Sequence, residues 1–198
     1  MDQDRTDVRL VEEAQTGDSA SIHAIYERFA PRVYNFLLKM LGSREEAEDV
    51  TQQTFVIVLR QLKGLRDAKQ LESWIYRIAR NEVYQKFRRK KAIHLESGDA
   101  ADYSGILQEH RMHGNPEEAL LNVELGQLLQ TLLGGLPLKM REAFILAVVQ
   151  GLSYQEVSVI TGRSLLAVKT DIYRARLNLR NQLKGYRNSG VGVGTESK

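Results

Sequence analysis

The sequence predicts an all-α protein: two small helical domains joined by a flexible linker, the second domain containing a helix-turn-helix. Apolar residues recur at steps of three and four along most of the 198 residues, whereas no convincing alternating strand segment occurs. Capping residues, glycines and the three prolines punctuate that pattern where helices should start and stop. Between residues 92 and 115 the periodicity lapses into Ser, Gly, Asp, His and Asn, which marks a linker.

A short helix at about Val8–Gln15 ends at Gly17-Asp18. A longer one runs from about Ser19 to Leu41 with Ile22, Ile25, Tyr26, Phe29, Val33, Phe36, Leu37 and Met40 as its apolar set. Pro31 is expected to break or kink it near Phe29-Ala30. Ser43 and Glu46 form a capping box that opens a helix to about Leu62. After the loop Gly64–Leu71 comes a helix from about Glu72 to Lys91, completing a domain over residues 1–91. Residues 92–116 form the acidic linker. Pro116 suits a first helical position, and Leu121, Leu125, Leu128, Leu129 and Leu132 share one side of the helix that follows. Gly134-Gly135 breaks that helix, Pro137 begins the next and Gly151 ends it.

The helix-turn-helix lies in Ser153–Arg176. Ser153 and Glu156 make a second capping box, Gly162 supplies the turn, and Ser164 caps the next helix. That helix carries Leu165, Val168, Ile172, Ala175, Leu179 and Leu183 on one side. Lys169, Tyr173, Arg176 and Arg180 stand opposite, flanked by Thr170 and Arg174, as a recognition helix requires. An ordinary solvated helix face is the alternative. The second domain spans 117–186, and residues 187–198 are a flexible tail.

Net charge is +3, but its distribution says more: −4 over residues 1–60, +7 over 61–91, −6 over 92–135 and +6 over 136–198. Two basic blocks separated by an acidic one suggest two contacts with nucleic acid. The chain has no cysteine, which excludes a disulfide framework and thiolate metal sites. His23, His94, His110 and His113 are scattered, and no phosphate loop or nucleophile elbow appears. Neither enzyme activity, nor a metal, nor a cofactor is therefore expected. An acidic N-terminus without an apolar core argues against export, and no apolar run reaches the roughly 18–20 residues that span a bilayer.

The helix over 72–91 divides into two faces. Ile75, Ile78, Ala79 and Val83 lie on one, with Phe87 at its margin. Trp74, Arg77, Asn81, Tyr84, Gln85 and Arg88 lie on the other, combining cations, amides and aromatics that can meet phosphates, base edges and unstacked bases. Trp74 could equally finish the core, and Arg88-Arg89-Lys90-Lys91 could be a solvated helix end. The outer face of the helix over 44–62, with Asp49, Gln52, Gln53, Val56 and Arg60, suits a protein partner or plain water better than a phosphate backbone.

Three segments, NFLLKMLGSREEAEDVTQQTFVIVLRQL, SWIYRIARNEVYQKFRRKK and LPLKMREAFILAVVQGLSYQEVSVITGRSLLAVKTDIYRAR, together resemble the bacterial extracytoplasmic-function (ECF) sigma factors in order and spacing. The resemblance covers about residues 19–91 and 117–184. It implies a non-enzymatic promoter-specificity subunit that binds core RNA polymerase through the β′ clamp helices and β flap. It also implies promoter DNA and an anti-sigma factor as partners, a role in stress response, and a cytoplasmic place, with any membrane association made through the anti-sigma factor and no direct insertion. On that resemblance Asp49, Gln52, Gln53 and Val56 are polymerase-binding. Arg66, Lys69, Trp74, Arg77, Asn81, Tyr84, Gln85 and Arg88 serve the minus-ten element. Arg163, Ser164, Leu166, Lys169, Thr170, Asp171, Arg174 and Arg176 serve the minus-thirty-five element. Leu166-Ala167 and Asp171 depart from the family's usual recognition-helix residues, Gln53 replaces a common acidic residue and Gln85 a frequent Asp. Leu166 could meet a thymine methyl or simply be an exposed leucine. Asp171 could accept from a cytosine amino group or orient a neighbouring arginine. A stand-alone helix-turn-helix regulator is the alternative function, but it leaves the polar-aromatic face before residue 91 without a role.

Overall fold

The computed structural model describes residues 2–96 and 116–188, with side chains described over 8–90, at 92 and over 125–184. It contains α1 (Asp2–Thr16), α2 (Ser19–Leu41), α3 (Arg44–Gln61), α4 (Leu71–Glu96), α5 (Pro116–Gly134), α6 (Leu138–Phe144), α7 (Tyr154–Thr161) and α8 (Leu165–Asn188). Among the described residues there is no strand.

Each boundary has a local cause. The Asp18 side chain accepts from the Ser21 N–H at 2.7 Å and starts α2; Gly42, at φ 76°, ends it by donating to the Leu38 carbonyl. Contrary to expectation, Pro31 does not break α2. An internal proline costs about 3 kcal/mol, but Ile25, Phe29, Val33, Phe36, Leu37 and Met40 are all at most 2% exposed, each worth about 1.5–3 kcal/mol. Burial of the stripe wins. The capping box at Ser153 is complete, with Ser153 Oγ accepting from Glu156 N at 3.2 Å and the Ser153 N–H donating back to the carboxylate at 2.7 Å. The one at Ser43 is half-made: Ser43 Oγ accepts from Glu46 N, but the Glu46 carboxylate pairs with Lys86 and Lys90 of α4 at 3.4 and 2.7 Å.

Helix α4 continues to Glu96, five residues past the expected end, because Ala92, Ile93 and His94 contain no breaker before Ser97-Gly98. The rest of the expected linker, with His110 and His113, lies outside the described residues, as does the tail from 189. After α6 the chain makes an unexpected π-helical turn, Ile145–Val149, closed by Gln150 N–H donating to the Ile145 carbonyl at 2.9 Å. Three residues assigned to apolar stripes lie outside the core: Tyr26, Leu125 and Leu183 are 42%, 63% and 46% exposed. Leu183 sits one turn past Leu179, the last apolar residue that α8 buries among the described side chains.

Helices α1–α4 build the first domain, with Gln15 Nε2 of α1 clamping the Leu62 and Leu65 carbonyls at 2.9 and 2.8 Å. Helices α5–α8 build the second. The two domains pack together, α7 against α4 and α5 against α2. The C-terminal end of α2 would otherwise leave carbonyls unpaired. Gln130 Nε2 of α5 donates to the Leu38 and Lys39 carbonyls, and the buried Arg141 of α6 donates to the Met40 carbonyl at 3.0 Å.

Gly162 closes α7 at φ 65°, and its Cβ position is otherwise open. Gly162→Ala is therefore expected to lower stability by about 1 kcal/mol through backbone strain alone. Gly126→Ala, in the middle of α5 with open space around it, should raise stability by up to about 1 kcal/mol. Urea unfolding of both variants checks the opposite signs.

Candidate nucleic-acid interface

Helix α8 buries Val168, Ile172, Ala175 and Leu179, which turns its other side to solvent. Lys169, Arg174 and Arg176 are exposed there, as are Leu166 at 75% and Tyr173 at 67% exposure. Ser164 Oγ accepts from Ala167 N at 3.2 Å and caps the helix, while the Thr170 hydroxyl donates to the Leu166 carbonyl at 2.8 Å. Arg163 and Asp171 do not project with the exposed cations. They form an ion pair with each other, and Arg163 Nη2 also reaches Glu142 Oε2 at 3.4 Å and the Lys139 carbonyl at 3.3 Å. Asp171 thus orients an arginine in this structure.

On α4, the buried stripe Ile75, Ile78, Ala79 and Val83 leaves Arg77, Asn81 and Arg88 exposed. Trp74, Tyr84 and Gln85 are half-buried, and Trp74 packs against the core. Gln85 Nε2 donates to Glu82 at 3.3 Å. Arg66 and Lys69, in the loop before α4, are exposed, and the Asp67 side chain accepts from Lys69 N at 3.1 Å to shape that loop. Tyr84 donates its hydroxyl proton to Glu142 Oε2 at 3.1 Å, and the Arg80 guanidinium lies over its ring at 4.4 Å. Arg80 Nε donates to Glu142 Oε1 at 2.6 Å.

Glu142 is fully buried. Burial pushes its carboxyl above the usual range, while Arg80 and Arg163 pull it back. Burial, then the Glu142 charge, pushes the Tyr84 hydroxyl up to about 12. A second bond between domains joins the buried Tyr76, whose hydroxyl donates to Gln150 Oε1 at 2.9 Å. Sequence reasoning missed Arg80, Glu142, Tyr76 and Gln150. The only signal was a set of polar groups on otherwise apolar helical positions, which periodicity alone reads as solvent-facing.

A third surface lies on α3. Asp49, Gln52 and Gln53 are exposed, and Val56 and Leu59 extend the same face at 46% exposure each. Beside them a groove of about 310 Å³ runs between α2 and α3, lined by Tyr26, Ala30, Pro31, Tyr34 and Thr51 with Glu27, Glu48 and Gln52 at its polar positions. Apolar walls with carboxylates suit a long cationic side chain from a protein, and would repel phosphate. Among the described residues no group of His, Cys, Asp or Glu could hold a metal, and no helix is long and apolar enough to cross a membrane.

Residues 25–93 match the family model for sigma-70 region 2, and residues 126–179 match that for sigma-70 region 4. The chain is 33% identical over 171 residues to the ECF RNA polymerase sigma factor SigE of Mycolicibacterium smegmatis, spanning 85% of this chain and 65% of that protein. It is 28% identical over 179 residues to SigW of Bacillus subtilis, spanning 89% and 96%. Against the ECF sigma-E factor of Escherichia coli K12 it is 29% identical over 190 residues, spanning 93% and 97%. Among solved structures, CnrH in complex with the cytosolic domain of CnrY superposes with a TM-score of 0.70 at 21% identity, covering 90% of this chain and 97% of that one. The sigma factor RpoE, solved with the anti-sigma factor NepR from Bartonella quintana, gives 0.65 at 23% identity, covering 80% and 94%. At these identities the two structures establish the fold. Region 2 falls on the domain that carries α3 and α4, region 4 on the domain that carries the helix-turn-helix, and the chain belongs to the ECF sigma factors.

Proposed function

We propose that this chain binds core RNA polymerase and directs promoter-specific initiation of transcription, with an anti-sigma protein as its controlling partner. The observation that carries the reading is the coexistence of two cationic reading faces, on α4 and α8, with a separate carboxylate-bearing groove between α2 and α3. A DNA-binding regulator needs only the first kind of surface. The third surface supplies a place for polymerase, and the Asp49–Val56 face is its edge.

The division of labour follows from the chemistry of each face. Lys169, Arg174 and Arg176 neutralise phosphates and set the register of α8 in the major groove, where Leu166 and Tyr173 reach base edges. Arg77, Asn81 and Arg88, with Arg66 and Lys69 in the preceding loop, face the minus-ten element. No bond is made or broken. Unstacking a base costs a few kcal/mol, offset by stacking on aromatic side chains and by pairing of the backbone with cations. Each small domain binds DNA weakly alone; mounting both on polymerase raises the effective concentration of each. RpoE, whose fold this chain shares, was solved bound to an anti-sigma factor, which supports a partner of that kind here.

Adding the purified chain to sigma-free core polymerase should yield run-off transcripts from selected promoters. Lack of transcripts with intact DNA binding would favour the stand-alone regulator. Lys169→Ala and Arg174→Ala should each weaken promoter binding and lower the salt slope by about one, leaving polymerase affinity unchanged. Arg163→Ala should differ in kind: it leaves Glu142 buried with fewer partners, so stability should fall by about 2 kcal/mol in urea unfolding as well. Replacing Asp49 and Gln52 together with alanine should reduce retention on immobilised core polymerase while promoter contacts by the second domain persist.

A further inference from the structure

We propose that Gln15 of α1 is a positioning residue for the loop that meets the minus-ten element: its side-chain amide ties down the loop backbone, so that Arg66 and Lys69 are presented in one geometry. The minus-ten role of the loop rests on the function proposed above, while the clamp itself is a feature of the free chain.

The loop repeats every three residues. Leu62 is buried and Leu65 and Ala68 are half-buried against the core, whereas Lys63, Arg66 and Lys69 are exposed. That period belongs to the single 3-10 turns at Leu62–Gly64 and Ala68–Gln70, in which every third side chain falls on one side. Each turn is closed within itself, the first by the Leu65 N–H on the Leu62 carbonyl and the second by the Gln70 N–H on the Asp67 carbonyl, both at 3.0 Å. The Asp67 carboxylate accepts from the Lys69 N–H and the Gln70 amide, and those bonds too stay inside the second turn. Gln15 makes the tie to the rest of the domain. Its amide nitrogen carries two hydrogens and donates to the Leu62 carbonyl at 2.9 Å and the Leu65 carbonyl at 2.8 Å. These acceptors bracket the first turn and end at the residue before Arg66.

Gln15 can hold the loop because it is itself held. Its neighbour Ala14 and Val11, one turn before it, are buried, and helix α1 packs against both turns of the loop. Gly17, at φ 97°, ends α1, and Ser21 Oγ of α2 donates to Glu13 Oε2 at 2.9 Å, which staples the end of α1 to the start of α2. Such a fixed base matters for reading more than for attraction. Phosphate contacts by long cationic side chains tolerate a loose backbone, because charge acts without fine alignment. A base edge is recognised by paired hydrogen bonds, whose donors must be held to within about 0.5 Å. A loop of single turns reaches that precision only when its backbone is tied to a rigid element.

Gln15→Leu keeps the bulk and removes the donors, whereas Gln15→Lys supplies donors on a side chain of similar reach; both replacements are good helix formers. In the free Gln15→Leu chain, amide hydrogen exchange at Leu65, Lys69 and Gln70 should accelerate about five- to ten-fold, while the amides of α2 and α3 keep their rates. On a selected promoter re-randomised over its minus-ten segment, polymerase carrying Gln15→Leu should lose about five- to ten-fold in discrimination between bases there. Preference at the minus-thirty-five segment should be unchanged, and Gln15→Lys should recover most of both losses. Val33→Ala, a core truncation in α2, should lower stability without altering the minus-ten profile, which separates positioning from stability. A Gln15→Leu profile identical to that of the unsubstituted chain overturns the positioning role, and so does an equal loss of discrimination in Val33→Ala. A loosened loop in Gln15→Leu, beside an unsubstituted chain that selects no minus-ten sequence, leaves the clamp standing and overturns the function proposed above.

Discussion

A single buried carboxylate sets the relation between the two halves of this molecule. Glu142 has no exposure to solvent, and an ionised group in that position costs several kcal/mol of lost hydration. Arg80 and Tyr84 come to it from the first domain and Arg163 from the second, and together they compensate its charge. Arg163 in turn holds Asp171 on the recognition helix. A continuous chain of charge therefore runs from α4 to α8, through a residue with no exposure to solvent.

This arrangement couples architecture to the work of a sigma factor. The buried apolar residues of both domains form one continuous core, and the hydrogen bonds between domains are made largely by side chains on charged or carbonyl partners. Arg80, whose guanidinium donates to Glu142, lies one residue from the exposed Asn81 of the proposed reading face. The groove between α2 and α3 stands apart from this network, so a protein seated there leaves both cationic faces clear for DNA.

Much of the design was legible in the residues because it is local. Capping residues at Ser153 and Ser164, the glycine at 162, and the period of the buried stripe on α4 each depend on neighbours within one helical turn. Where tertiary context intervened, local rules misled. Pro31 sits inside α2 because the helix around it is anchored by six buried apolar side chains. Glu46 left its capping partner for Lys86 and Lys90, some forty residues away. Glu142 and Arg80 are separated by 62 positions, and the pattern of neither helix announces that a half-buried arginine will meet a buried carboxylate. Asp171 pairs with Arg163 across the turn, a contact that the periodicity of α8 does not single out.

In the proposed function one chain, carried on polymerase, contacts a promoter at two separated places. Hydroxyl-radical footprinting of polymerase loaded with this chain, on DNA selected from a random-sequence library, tests it most directly. Two protected patches more than about two helical turns apart, both absent with core polymerase alone, are the expected result. One continuous patch, or protection that core polymerase gives unaided, would contradict it.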